Sequence, residues 1–234
     1  MDREVRPIFL KVYEYHIMRE ILTFLFIIGV FFLICAERAH SSEDWQYWNK
    51  FVLKHKLTQR ITAHVKLEQR FVDDFNDFAL HNYVPGFVYG FNRYFDFELN
   101  YKFEREKEGK EWTEEHRLEI IPIVKWKWMK FKFKLRNRLE YRVIEGDESW
   151  RLREKIKIKR DINLSGFKFS PFLSEEIFYD FKIGDFNQNR VKAGVSKEII
   201  HNLEFTLFYM YKSNKRDNSW FGANVFGTEF VIRF

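Results

Sequence analysis

From Trp128 to Val143 the chain reads WMKFKFKLRNRLEYRV, and its residues separate by parity. Phe131, Phe133, Leu135, Leu139, Tyr141 and Val143 fall in one set. Lys130, Lys132, Lys134, Arg136, Arg138, Glu140 and Arg142 fall in the other. A period of two puts the sets on opposite faces of a β-strand. One face suits a core or lipid, and the other is almost wholly charged. Arg60 to Val72 repeats the pattern, with Ile61, Ala63, Val65, Leu67 and Phe71 against Arg60, His64, Lys66, Glu68 and Arg70.

The rhythm runs through the chain from Asp44 onward. Strands are expected from Trp45 to about Leu57, over Arg60 to Val72, from about Phe78 to Phe91, and through the alternation of Phe95 to Glu104. Further strands carry Leu118, Ile120, Pro122 and Val124, then the opening stretch, then Leu152, Ile156 and Ile158. The rest are Phe167 to Phe178, a short and weak Arg190 to Ser196, a strand with Leu203 to Tyr211, and Phe221 to Phe234. Pro85-Gly86 is read as a bulge or bend, and Glu154 as a misfit on an apolar face, tolerable at a membrane rim. Short turns alternate with longer polar connections at Glu104–Trp112, Ile144–Ser149, Glu175–Asn189 and Ser213–Ser219. That asymmetry is characteristic of membrane barrels. Trp45, Trp48, Trp112, Trp126, Trp128, Trp150 and Trp220 lie near segment ends, where an interfacial girdle would place them.

These features predict an all-β fold: a transmembrane antiparallel up-and-down β-barrel of about ten to twelve strands. About eleven segments can be counted, and twelve is favoured because single-chain bacterial barrels have even numbers. Composition agrees: Phe supplies 28 of the 234 residues, yet 32% of the chain is charged. Ile21 to Ala36 is an uncharged apolar run preceded by Arg19, the pattern of a secretory signal with cleavage before Ser42. Residues 1–41 are therefore read as an N-terminal extension and signal peptide, with Met18 the better start, and 42–234 as the barrel. The run is short for a transmembrane helix. Cys35, the single cysteine, lies in this leader, so the exported chain would have no thiol chemistry. The first 41 residues hold five acids and five bases, which leaves the whole net charge of +6 on the barrel. That charge alternates with Phe and Leu instead of forming patches or tails, which argues against nucleic acid as a partner.

Several short motifs carry a family resemblance: Asp44-Trp45-Gln46-Tyr47-Trp48, Glu68-Gln69-Arg70-Phe71, Arg136-Asn137-Arg138-Leu139-Glu140-Tyr141-Arg142 and the closing Phe234. Together they resemble the bacterial β-barrel family known as domain of unknown function 2490. The resemblance implies an outer-membrane location, with outer-membrane lipid and lipopolysaccharide as surroundings, and no known activity. Phe230, Ile232 and Phe234 also resemble the C-terminal signal that the barrel-assembly machinery reads in bacterial barrels.

If the aromatics face lipid, the charged parity faces the lumen. Lys66, Glu68, Arg70, Glu98, Arg117, Glu119, Arg136, Arg138, Glu140 and Arg142 then form an interior salt-bridge network, because buried charge demands partners. A filled lumen is the simplest outcome in a small barrel, and a charged constriction steering anions is the alternative. The expected role is a small structural or solute-passing barrel of unknown specific role. A lipid-modifying enzyme of phospholipase or lipopolysaccharide-deacylase type would need serine, histidine and an orienting group. No local motif ties Ser149, Ser165 or Ser170 to His55, His64, His81, His116 or His201. No catalytic residue, metal site or cofactor is therefore assigned, and the enzyme reading leans to no. A periplasmic lipid-binding barrel would show the same alternation turned inside out. Oligomeric state is not encoded in these patterns.

Overall fold

The computed structural model describes residues 44–216 and 219–234. The leader, its cleavage site and Met18 lie outside the described residues. Twelve strands follow: β1 (Trp45–Lys56), β2 (Ile61–Val72), β3 (Asp77–Gly90), β4 (Phe95–Glu108), β5 (Glu111–Trp128), β6 (Phe131–Ile144), β7 (Asp147–Arg160), β8 (Ile162–Leu164), β9 (Phe167–Asp180), β10 (Asp185–Ile200), β11 (Leu203–Arg216) and β12 (Ser219–Arg233). Eleven of them close a ring, in which β9 follows β7 and β12 returns to β1. The twelfth, β8, is three residues inside the β7–β9 connection and pairs only with β9. The count thus lies within the expected range, while the ring itself is odd.

An odd ring has a geometric consequence. Successive strands alternate in direction, so the first and last of eleven run the same way. The β1–β12 seam is accordingly parallel, from Trp45 opposite Asn224 to Lys54 opposite Arg233. Trp45 and Phe234 therefore lie at opposite mouths. Aromatic stacking spans the seam: Trp45 on Phe226 at 5.4 Å and Phe51 on Phe230 at 5.2 Å between ring centroids. Such pairs contribute about 0.5–1.5 kcal/mol each beyond their buried area. A Tyr47–Thr228–Asn49 hydrogen-bond chain of 2.7 and 3.0 Å adds to it.

Among the described residues, the long loops expected at Glu104–Trp112, Ile144–Ser149 and Glu175–Asn189 are absent. β4 runs to Glu108 and β5 begins at Glu111, and β6 and β7 are joined by Glu145-Gly146 alone. Both residues of that turn have positive φ, 49° and 88°, which suits the twist of a two-residue hairpin. The stretch read as a Glu175–Asn189 loop is the end of β9, a turn at 181–184, and the start of β10. β10 itself spans 16 residues, more than twice the Arg190–Ser196 expected. Pro85-Gly86 is no bulge: the β3–β4 register is unchanged from Tyr83–Phe103 to Gly86–Asn100, and the β2–β3 irregularity lies at Arg70/Phe71.

The aromatic parity faces outward. Phe51, Leu53, Val65, Phe87, Tyr101, Leu118, Ile120, Val124, Leu207 and Phe226 are all exposed on the outside of the ring. Trp45, Trp126, Trp128, Trp150 and Trp220 are exposed near strand ends. Trp48 departs from the girdle expectation, because it sits on the other parity and is 5% exposed inside the barrel. Glu154 departs as well: it is exposed in mid-strand, opposite Asn137 and Ile177, not at a rim.

Candidate functional site

The inward parity of β4 to β7 and β9 converges on Glu140, which is 0% exposed. Its carboxylate accepts from Arg151 Nε at 2.6 Å and Arg153 Nη1 at 2.8 Å, with Arg138 at 3.4 Å and Arg117 at 3.5 Å. Arg117 also meets Glu115 at 2.6 Å and Glu104 at 3.4 Å. Arg142 grips Glu115 through two bonds of 2.7 and 3.0 Å. Arg138 reaches Glu119 at 3.1 Å, and Arg153 reaches Glu176 at 2.7 Å. Charge-assisted and bidentate contacts of this kind are the strong class of hydrogen bond, and burial raises the cost of leaving any member unpaired.

A second group lies beside it. Lys66 and Arg136 both bind Glu98, at 2.5 and 3.0 Å. Asn100 joins the two groups, because its amide donates to Glu98 at 2.9 Å and to Glu119 at 2.8 Å. The amide oxygen of Asn100 meets His64 Nε2 at 2.9 Å, across the backbone of Gly86. That crossing explains the glycine: a Cβ at residue 86 would lie 2.2 Å from Asn100 Oδ1 and 2.9 Å from His64 Nε2. A third contact, Arg70 with Glu68 at 2.5 Å, stands apart from these groups.

All ten residues read as a lumen network lie on the inward parity, and each makes at least one ion pair. Asn100, Glu104, Glu115, Arg151, Arg153 and Glu176 belong to the network as well, beyond the ten expected from sequence. Arg151 and Arg153 were visible on the charged parity of β7. Glu176 was lost because its neighbourhood looked like the start of a loop.

The other half of the lumen carries the apolar side chains, interleaved with cations. Trp48, Phe172, Phe208, Met210 and Val225 form one buried cluster, with Phe178 fully buried as well. Gly194 and Gly227 make room for it, since a Cβ at either would fall within 3 Å of the Phe208 side chain. Cations face these rings. Arg70 lies 3.7 Å from the Trp48 centroid, Arg153 4.4 Å from Phe178, Lys157 3.7 Å from Phe172 and Lys192 3.6 Å from Phe208. Cation–π contacts gain strength when desolvated, so each of these pairs ties adjacent strands of the wall together, β1 to β2, β7 to β9 or β10 to β11, and the charged and apolar halves meet along it. The space left between them is a cavity of about 220 Å³ with predominantly charged walls.

The remaining sequence candidates lie elsewhere. Phe230, Ile232 and Phe234 share the outward parity at the mouth where the chain ends. Phe230 packs between Phe51 and Phe205, and the Phe234 amide donates to Lys54 O at 3.0 Å. His64 faces inward and His116 outward, where its Nδ1 meets the Tyr101 hydroxyl at 2.6 Å. Ser170 donates to Asp161 at 2.8 Å. Among the described residues no cluster of three or more His, Cys, Asp or Glu is arranged to hold a metal.

No curated protein matches the chain. It is similar to a solved structure, LpxR from Salmonella typhimurium, at 8% identity and a TM-score of 0.48, over 78% of this chain and 87% of that one. Residues 45–222 match the family described as Protein of unknown function (DUF2490), and the chain belongs to that family.

Proposed function

We propose that the protein is an outer-membrane β-barrel with a sealed lumen, a structural barrel that holds small polar solutes inside and passes none freely. The observation that carries this reading is the segregation of its two faces. The outside is a belt of exposed Phe, Leu, Ile, Val, Tyr and Trp, while the inside pairs charge with charge around Glu140. Ring strands of 12 to 18 residues exceed the roughly 9–11 that a tilted strand needs to cross hydrocarbon. A periplasmic lipid carrier would need the apolar face inside, enclosing an apolar cavity. Here the apolar lumen residues pack against one another and the remaining cavity is polar.

In this reading the partners are outer-membrane lipid and lipopolysaccharide, which contact the aromatic belt. The barrel-assembly machinery engages Phe230, Ile232 and Phe234, whose outward placement at the end of β12 leaves Phe234 exposed. Planar-bilayer recording of the inserted protein tests the sealed lumen. Only brief, irregular current is expected; steady ohmic steps would show an open pore and overturn the reading.

A further inference from the structure

We propose that the lumen cavity is a binding site for a small tetrahedral oxyanion of the phosphate class. The inference deepens the sealed-lumen reading and rests on it. Its basis is an imbalance of charge. The cavity is lined by fourteen Lys and Arg side chains and seven Glu. Glu98, Glu140 and Asp180 reach the same cations without lining the cavity. Even with those three included, the cations outnumber the carboxylates by four.

The surplus is localised on the wall formed by β10 and β11. Arg190, Lys192 and Lys212 make no ion pair with a carboxylate among the described residues. Their close contacts are aromatic: Arg190 lies 4.7 Å from the Phe178 centroid and 5.0 Å from Trp48, and Lys212 lies 5.9 Å from Trp48. Aromatic faces attract a cation but accept no strong hydrogen bond, so these groups keep donors free for a bound acceptor. Arg190 and Arg136 both belong to the cavity wall, and the buried Nε of each lacks any acceptor.

Unpaired buried cations are costly, and an anion between them would supply the missing charge and the missing acceptors. The volume is several times the about 30 Å³ that one water takes in the liquid. That accommodates a tetrahedral oxyanion with a few waters. Planar forked donors such as Arg190 and Arg136 match the paired oxygens of phosphate. Ser174 adds a neutral hydroxyl to the lining, while the amide nitrogens of Asn82 and Gln188 already donate to Glu104 and Asn214.

The test uses the full barrel in detergent micelles, with inorganic phosphate as the probe and chloride at matched ionic strength as the control. Isothermal titration should show one saturable phosphate site, absent with chloride, and phosphate should raise the unfolding temperature. Arg190→Gln and Lys212→Met should each weaken that site by about tenfold or more, the loss expected for a charge-assisted hydrogen bond. Unfolding midpoints measured without phosphate show whether each variant remains folded. A parallel titration with glycerol phosphate, and mass spectrometry of co-purified lipid, separate free phosphate from a phosphate ester or headgroup. A folded wild-type barrel that binds neither phosphate nor the ester, or variants that bind as tightly as wild type, would overturn the inference. Ohmic conductance would instead overturn the sealed-lumen reading, so the two failures are distinguishable.

Discussion

Replacing Glu140 with glutamine perturbs the lumen where its charges are most concentrated, at almost no change in volume. Four arginines lie within 3.5 Å of that carboxylate, but they do not lose equally. Arg117 keeps Glu115, Arg138 keeps Glu119 and Arg153 keeps Glu176. Arg151 has no other carboxylate within ion-pair distance among the described residues, so it is left as a buried cation beside three others. Breaking a buried pair from one side costs about 3–5 kcal/mol, and Glu140→Gln should destabilise the barrel by that amount. Removing the orphan as well, in Glu140→Gln/Arg151→Met, should recover part of the loss, with a coupling of about 1–3 kcal/mol. Urea unfolding from lipid vesicles, followed by tryptophan fluorescence, measures both. The Lys182–Asp147 pair provides the contrast, since its side chains are 57% and 66% exposed. Asp147→Asn should fall within about 0.5 kcal/mol of wild type. A Glu140→Gln barrel as stable as Asp147→Asn, or strictly additive double-variant losses, would refute the network as a cooperative unit.

Three further outcomes are expected. Gly86→Ala should cost about 1–3 kcal/mol by overpacking, because the new methyl displaces the Asn100–His64 contact; an unchanged urea midpoint would show that the crossing is not tight. Single cysteines placed at Asp44 and Phe234 should react with an impermeant maleimide from opposite faces of a sealed vesicle, as the parallel seam requires; labelling from one face would mean an even ring. Glu154→Leu should stabilise the barrel in lipid by about 1–2 kcal/mol, since a mid-strand carboxylate facing hydrocarbon is unfavourable; a loss of stability would show that the carboxylate has a partner.

Parity made most of the ring legible. The alternation over Arg60–Val72 becomes β2 at Ile61–Val72, because one buried and one lipid-facing side leave a period of two little freedom. The pattern fails where both faces of a strand meet water or where side chains are small. Beyond the apolar belt, β4 carries Arg105 and Lys107 outward, paired to Glu114 at 3.3 Å and Asp77 at 2.7 Å. A strand clothed in such pairs reads as a polar loop. β10 was under-read because Asn189, Ala193, Gly194 and Ser196 make its alternation faint.

The charged half of the lumen was legible for the same reason as the ring, since every residue assigned to it alternates with an apolar neighbour. The apolar half was not. Trp48 falls on the inward parity with Gln46, whose side-chain oxygen accepts its indole N–H at 3.0 Å. A tryptophan near a strand end reads as a girdle residue unless its parity is checked. The inward glycines Gly194 and Gly227 were the other available signal, because a glycine on a lumen face marks space for a ring across the strand.

Electrophoretic mobility of the purified protein in mild detergent, before and after boiling, tests the membrane barrel most directly. A closed membrane barrel should give a compact, faster band without heating and a slower one, at the position of the unfolded chain, after it. Identical mobility in both lanes, or a protein that stays soluble in water with no detergent at all, would contradict it.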